Sequence, residues 1–299
     1  MTEERDVLHR FLLERAGVRG VVVRLNDSWS EVAGRADYPQ AVRRLLGESL
    51  TASALLTGQI KFDGALSLEL KSQGDLRLLF TECTDAGRLR GLARHDEAAG
   101  ADGDIDLSAL PGATLAITIG NVETGHRYQG LVPLDSARLG AALEGYFERS
   151  EQLPARLVLA VGEHGAAGLL LQRMPSEGGT GAAVDADGWD RVLHLTATLS
   201  EQELLELPVE TLLYRLYHEE NVRLFEPRAL AFGCSCSAQR VEAMLRALGS
   251  EEADAALEAN AGVVEVTCEF CAAQYHYDRI DIERLFSETP AAPASTRSH

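Results

Sequence analysis

The sequence predicts an α+β fold: a mixed core domain with packed β-sheets and helices, a helical linker and a small C-terminal zinc-binding domain. Three observations predict it. Strand-like and helix-like runs follow one another in irregular order through residue 175, without the repeating βαβ pattern of a parallel sheet. The stretch from Ser176 to Trp189 is rich in Gly, Ala and Asp, a linker composition. Four of the five cysteines crowd between residues 234 and 271. The expected divisions are 1–175 (core), 176–229 (flexible and helical linker), 230–286 (metal domain) and 287–299 (disordered tail).

Taken in order, Val7, Leu8, Phe11 and Leu12 have helical spacing, and Val21 to Leu25 reads as a strand. Tyr38 to Leu56 reads as a helix entered through Pro39, a residue suited to a first turn. Strand-like runs follow at Leu66–Leu70, Leu76–Phe80, Leu115–Ile119 and Tyr128–Pro133, separated by glycines. Ala137 to Ser150 is helical in pattern, and Leu157–Val161 with Gly168–Gln172 reads as a hairpin pair. Beyond the linker, Ser200 with Glu203 has the spacing of a capping box. Pro208 interrupts that helix, and a second reaches about Glu220 with Leu212, Leu213, Leu216 and Tyr217 on its apolar side. In the last domain Ser237 caps a helix bearing Val241, Met244, Leu245 and Leu248, and Gly249 ends it. Ser250 opens another whose first turn is acidic, as the helix dipole favours. Val263–Val266 and Tyr275–Tyr277 read as two strands flanking Cys268-Glu269-Phe270-Cys271.

Charge and composition exclude several function classes. The formal net charge is −18, opposed to any general affinity for nucleic acid or an anionic membrane. No apolar run approaches the roughly 18–20 residues that span a bilayer. The opening Met1-Thr2-Glu3-Glu4-Arg5-Asp6 lacks the layout of a signal peptide, which predicts a cytoplasmic protein. The only lysines, Lys61 and Lys71, do not follow glycine, so the phosphate loop ending Gly-Lys-Ser/Thr is absent. No catalytic dyad stands out, and the chain is not expected to be an enzyme.

The cysteines follow the pattern Cys234-x-Cys236, 31 intervening residues, Cys268-x-x-Cys271. The second half is a common zinc-binding turn, and four thiolates close a tetrahedral site with no position left for substrate. The expected cofactor is one Zn²⁺ on Cys234, Cys236, Cys268 and Cys271. A domain of about 55 residues with few large apolar groups is marginal alone, and zinc supplies about 10–16 kcal/mol in small metal-folded modules. Metal loss would therefore unfold it, and oxidised thiolates with close neighbours proceed to disulfides. Spacing alone favours a permanent zinc clip over a switch. A nucleic-acid module is opposed by the local charge, three Arg against nine Asp or Glu from Ala229 to Ile282. A thiol–disulfide exchanger is opposed by the missing βαβ context. Cys83 reads as a buried or incidental thiol, and His218 and His276 as bystanders to four well-placed cysteines.

Longer strings carry a resemblance. Asp37-Tyr38-Pro39-Gln40, Lys61-Phe62-Asp63-Gly64, the run from Tyr146 through Pro154, Ala166 through Gln172, Tyr214 through Glu220, Phe232-Gly233-Cys234-Ser235-Cys236-Ser237 and Cys268-Glu269-Phe270-Cys271 together resemble the bacterial 33-kilodalton heat-shock chaperones, nearly end to end. The resemblance implies a cytoplasmic, ATP-independent holdase that is largely inactive when reduced and zinc-bound. It implies that oxidants release zinc and form the disulfides Cys234–Cys236 and Cys268–Cys271. The linker then unfolds, and the protein, usually a homodimer, binds unfolding clients. A zinc-stabilised interaction module without switching is the alternative. Two departures stand out: Ala272-Ala273 where the family often has Gly or Asn, and Gly74-Asp75-Leu76 where it has a longer Gly-Asp-Gly-Pro turn.

Overall fold

The computed structural model describes residues 6–100, 103–121, 125–175 and 185–287. It divides into two compact units, before and after the Gly233–Cys234 bond. In the first unit the strands are β1 (Asp6–Leu13), β2 (Val18–Leu25), β3 (Gly64–Lys71), β4 (Leu76–Thr84), β5 (Arg88–His95), β6 (Thr114–Asn121), β7 (Arg127–Val132), β8 (Ala155–Val161), β9 (Ala166–Arg173) and the short β10 (Val222–Leu224), β11 (Arg228–Ala229) and β12 (Ala231–Phe232). The helices are α1 (Asp27–Ala33), α2 (Gln40–Gln59), α3 (Leu139–Tyr146), α4 (Gly188–Thr196), α5 (Glu201–Glu206) and α6 (Val209–Tyr217). One sheet runs β10-β1-β2-β9-β8, with β11 also on β1; the other runs β12-β5-β4-β3-β6-β7. All pairings are antiparallel except β12 with β5.

The predicted strands at Leu66–Leu70, Leu76–Phe80 and Leu115–Ile119 lie within β3, β4 and β6, and the predicted hairpin is β8 with β9. The expected helix at Val7–Leu12 is instead β1. Its period of two is hidden because both faces are buried: Leu8 packs in one core cluster, and Phe11 and Leu13 in another. A strand covered on both sides needs no polar face and so loses its alternation. The Arg-rich β5 had no sequence signature as a strand.

α2 lies between the sheets. Leu46, Leu50 and Leu55 share one core with Val21 and Val23 of the first sheet and Leu66, Leu68 and Leu79 of the second. A helix buried on nearly all sides places polar side chains in that core, and they are partnered locally. Ser53 Oγ donates to the Leu50 carbonyl (2.8 Å), Thr57 Oγ1 to Ser53 (2.8 Å), and the Ser49 and Thr81 hydroxyls meet at 2.8 Å. Side chains are kept small where α2 meets the first sheet. A Cβ on Gly47 would stand 2.8 Å from Val161, and one on Gly168 would stand 2.7 Å from Leu55.

The opposite face of the first sheet is covered by α4, α5 and α6. Val192, Leu204, Val209, Leu212, Leu213, Leu216 and Tyr217 pack on Phe11, Leu13, Val18, Val22, Leu169 and Leu171. The capping box is present: Ser200 Oγ accepts from the Glu203 amide, and the Glu203 carboxylate accepts from the Ser200 amide (3.0 Å). Pro208 stands at the N-cap of α6. Two polar ties fasten this layer. The wholly buried Glu220 accepts from Arg191 Nε (2.5 Å) and Nη2 (3.0 Å), and Tyr217 Oη meets Thr196 Oγ1 at 2.7 Å. The residues expected to form a helical bridge are thus packed into the first unit from Gly188 onward. Most of the Gly-, Ala- and Asp-rich stretch (176–184) and the expected disordered tail lie outside the described residues, apart from Ser287 at the end of the last helix.

In the second unit, α7 (Ala238–Leu248) and α8 (Ser250–Ala259) precede the hairpin β13 (Val263–Thr267) and β14 (Gln274–Asp278), which α9 (Arg279–Ser287) follows. Its core is small: Val241, Leu245, Ala253, Leu257, Val264, Tyr277, Ile282 and Leu285.

Candidate metal centre

A short loop before one helix and a turn between two strands bring the four expected cysteines together. Cys234 and Cys236 lie just before α7, whose N-cap is Ser237; its hydroxyl accepts from the Arg240 amide at 3.3 Å. Cys236 therefore sits beside the N-terminal end of that helix. Arg240 Nη1 also donates to Ser235 Oγ (2.6 Å), tying the residue between the two cysteines to the helix. Cys268 and Cys271 lie on the turn joining β13 to β14. The Cys268 amide donates to the Ala273 carbonyl (2.9 Å), and the Ala272 amide to the Cys268 carbonyl (2.8 Å).

The four sulfurs lie within 4.8 Å of one another, and all four residues are half-buried free thiols. Cys234 Sγ approaches Cys268 Sγ at 3.6 Å, and Cys236 Sγ approaches Cys271 Sγ at 3.3 Å. Four sulfurs each about 2.3 Å from one zinc would stand roughly 3.8 Å apart. The donor set and its spacing therefore fit a tetrahedral metal ion. Burial first, then the neighbouring sulfurs, push the Cys271 thiol up to about 12, so crowding opposes ionisation unless a cation shares the charge. Among the described residues no other group of three or more metal-ligating side chains gathers this closely. His276 stands 4.0 Å from Glu265 and His218 3.9 Å from Glu219, and neither is among the gathered ligands. Cys83 is fully buried, and desolvation raises its thiol to about 11, which keeps it protonated and unreactive near neutrality.

One feature of the site escaped sequence reasoning. Interaction with Cys236 is the main reason the Tyr275 phenol is pushed up to about 12. The sequence showed Tyr275 only as a strand residue. At the Ala272-Ala273 departure, Ala272 has φ +57°, the left-handed conformation that Gly or Asn adopts more readily than alanine. An alanine there costs about 1 kcal/mol relative to glycine. Ala272→Gly is accordingly expected to stabilise the zinc-loaded second unit by that amount, read as slower zinc transfer to a chromophoric chelator. An unchanged rate would show that the turn relaxes without cost.

The comparisons with known proteins agree with this geometry. A family model described as "Hsp33 protein" matches residues 6–278. The chain is 44% identical over 299 residues to the 33 kDa chaperonin of Nitrosococcus oceani, covering 99% of each. It is 45% identical over 294 residues to that of Ectopseudomonas mendocina, covering 98% of this chain and 99% of the relative. Among solved structures, that of the 33 kDa chaperonin of Thermotoga maritima superposes with a TM-score of 0.79 at 20% identity, covering 95% of this chain and 98% of the other. Matched along nearly its whole length by sequence and by fold, the chain belongs to the Hsp33 family of chaperones.

Proposed function

We propose that this chaperone is an ATP-independent holdase whose activity is set by the thiol state of Cys234, Cys236, Cys268 and Cys271. In the reduced state the four thiolates hold one Zn²⁺, and the protein is inactive. Oxidation joins Cys234 to Cys236 and Cys268 to Cys271 and releases the metal. The linker (176–229) then leaves the core domain (1–175), and a homodimer holds unfolding client proteins in the cytoplasm. The domain from 230 to 286 is the sensor.

The observation that carries this reading is the gathering of four reduced sulfurs in a unit with a small core. A site made of thiolates alone binds zinc tightly while reduced and loses its ligands on oxidation. The layer of α4, α5 and α6 supports the second half. These helices have nine, six and nine residues. Isolated helices shorter than about 12–15 residues are marginal in water, so these depend on their packing against the sheet. If they detach they melt together, and Phe11, Val18, Val22 and Leu169 become an apolar surface of the kind that binds unfolded chains.

The test follows zinc and client protection in one sample. The reduced full chain should carry one zinc, and peroxide at raised temperature should release it. Release should coincide with suppressed light scattering from a thermally unfolding client. Peptide mapping of the oxidised protein should give the two disulfides within the near pairs. Retained zinc, or scattering that oxidation does not change, would sink the switch and leave a zinc-stabilised interaction module. Disulfides between Cys234 and Cys268 would refute the pairing.

A further inference from the structure

The geometry points to a second binding site in the first unit, a cationic groove that takes a small phosphate-bearing anion beside the C-terminal end of α2. Two adjoining depressions, about 330 and 230 Å³, meet at Arg10, Gly58 and Gln59. Together they reach the scale of small-molecule cavities. Lys61 and Arg228 line the larger and Arg19 the smaller. In a chain with 46 acidic and 28 basic residues, four cations on one groove are a local exception.

Their charges are not met by carboxylates. Arg10 and Lys61 make no ion pair with a described residue. Arg19 donates to the neutral Gln172 side-chain oxygen (2.9 Å from Nε), and Arg228 Nη2 donates to the Thr84 carbonyl (2.8 Å). Among the described residues, Asp85 is the one acid on these walls. The bland explanation is that the cations complement the carbonyl end of α2, which has no basic residue in its own last turn. That end carries roughly half a negative charge, which one cation offsets. Three of the four remain after Asp85, and about two and a half positive charges after the helix end.

A donor also waits there. The Gln59 side-chain nitrogen is shielded from solvent and has no hydrogen-bond partner among the described residues. A buried donor left unpaired costs free energy that an acceptor oxygen would recover. Phosphate oxygens suit this set better than a single carboxylate, because donors on different elements line one groove and phosphate can accept from several of them. Ile60 and Phe62 on one side, and Phe225 on the other, give apolar walls for an organic group attached to the phosphate.

The probe is inorganic pyrophosphate, titrated calorimetrically into the reduced, zinc-loaded full chain at low ionic strength. One site per chain is expected. Arg10→Gln with Lys61→Gln removes two charge-assisted contacts and should weaken binding at least about tenfold. Both side chains are exposed, so the melting temperature should not move. Gln59→Met provides a second variant and should weaken binding severalfold without changing charge. Arg127→Gln, on β7 and remote from the groove in the sheet order, should leave binding unchanged. No binding to the wild type, equal binding by the double variant, or an equal loss in Arg127→Gln overturns the site. Tighter binding of an all-glutamate peptide than of pyrophosphate would assign the groove to an acidic protein surface instead.

Discussion

Replacing Cys268 by serine is expected to abolish stable zinc binding and to unfold the second unit while the first stays folded. The hydroxyl is not ionised near neutrality and is a poor zinc ligand, so the site drops to three thiolates. Structural zinc contributes about 10–16 kcal/mol in small metal-folded modules. The apolar core of this unit is eight residues, three of them, Val241, Ala253 and Val264, with small side chains. Such a core leaves little stability once the metal is gone. Zinc content and proteolysis would be measured together. Cleavage should concentrate beyond Gly233, where the compact units divide. A variant that kept one zinc and resisted protease there would show that the fold does not depend on the fourth ligand.

Tyr217→Ala should loosen the cover of the first sheet without touching a cysteine. Tyr217 is fully buried, its ring stacks on Phe11 at 6.3 Å, and its hydroxyl meets Thr196 at 2.7 Å. Deleting a buried aromatic side chain costs about 3–5 kcal/mol, a large part of the roughly 5–15 kcal/mol that holds a typical domain. The loss falls on three short helices that cannot persist alone. Amides of residues 188–217 should exchange faster, an apolar dye should bind, and the reduced, zinc-loaded protein should suppress client aggregation without oxidant. If exchange accelerates but protection does not appear, the face beneath α4–α6 is not the client surface.

The comparison of sequence with structure separates what is local from what is not. β3 was legible because Leu66-Ser-Leu-Glu-Leu alternates on a strand with one partly open face. β1 was not, since burial on both sides removes the alternation that distinguishes strand from helix. β5 was missed because Arg88, Arg90 and Arg94 dilute its apolar positions; Arg90 is held by Glu82 across the sheet at 2.8 Å, a partner no local window contains. The metal centre was the most legible part. Ligand chemistry fixes residue type and short spacing, and each half of the site is local in sequence. What the sequence held back was the interaction of Tyr275 with Cys236. The cationic groove was invisible, as Arg10, Arg19, Lys61 and Arg228 come from four separate segments. Of the bridge helices, α5 and α6 were legible from Ser200, Glu203 and Pro208, whereas α4 was not, and their packing on the first sheet depends on Phe11 and Leu169, more than a hundred residues apart in sequence.

The strand order sets a schedule for synthesis. Most of the second sheet, β3 to β7, comes from one continuous stretch between Gly64 and Val132. It can assemble as it leaves the ribosome. The first sheet cannot: β2 pairs with β9, Val22 opposite Leu169, so β1 and β2 wait for a segment made far later. During that interval α2 has one wall in place and the other missing, and its apolar side that faces the first sheet is open to solvent. Long-range pairing is slow for this reason and leaves such surfaces exposed to aggregation. A protein proposed to shelter unfinished chains is itself, for most of its own translation, an unfinished chain of that kind.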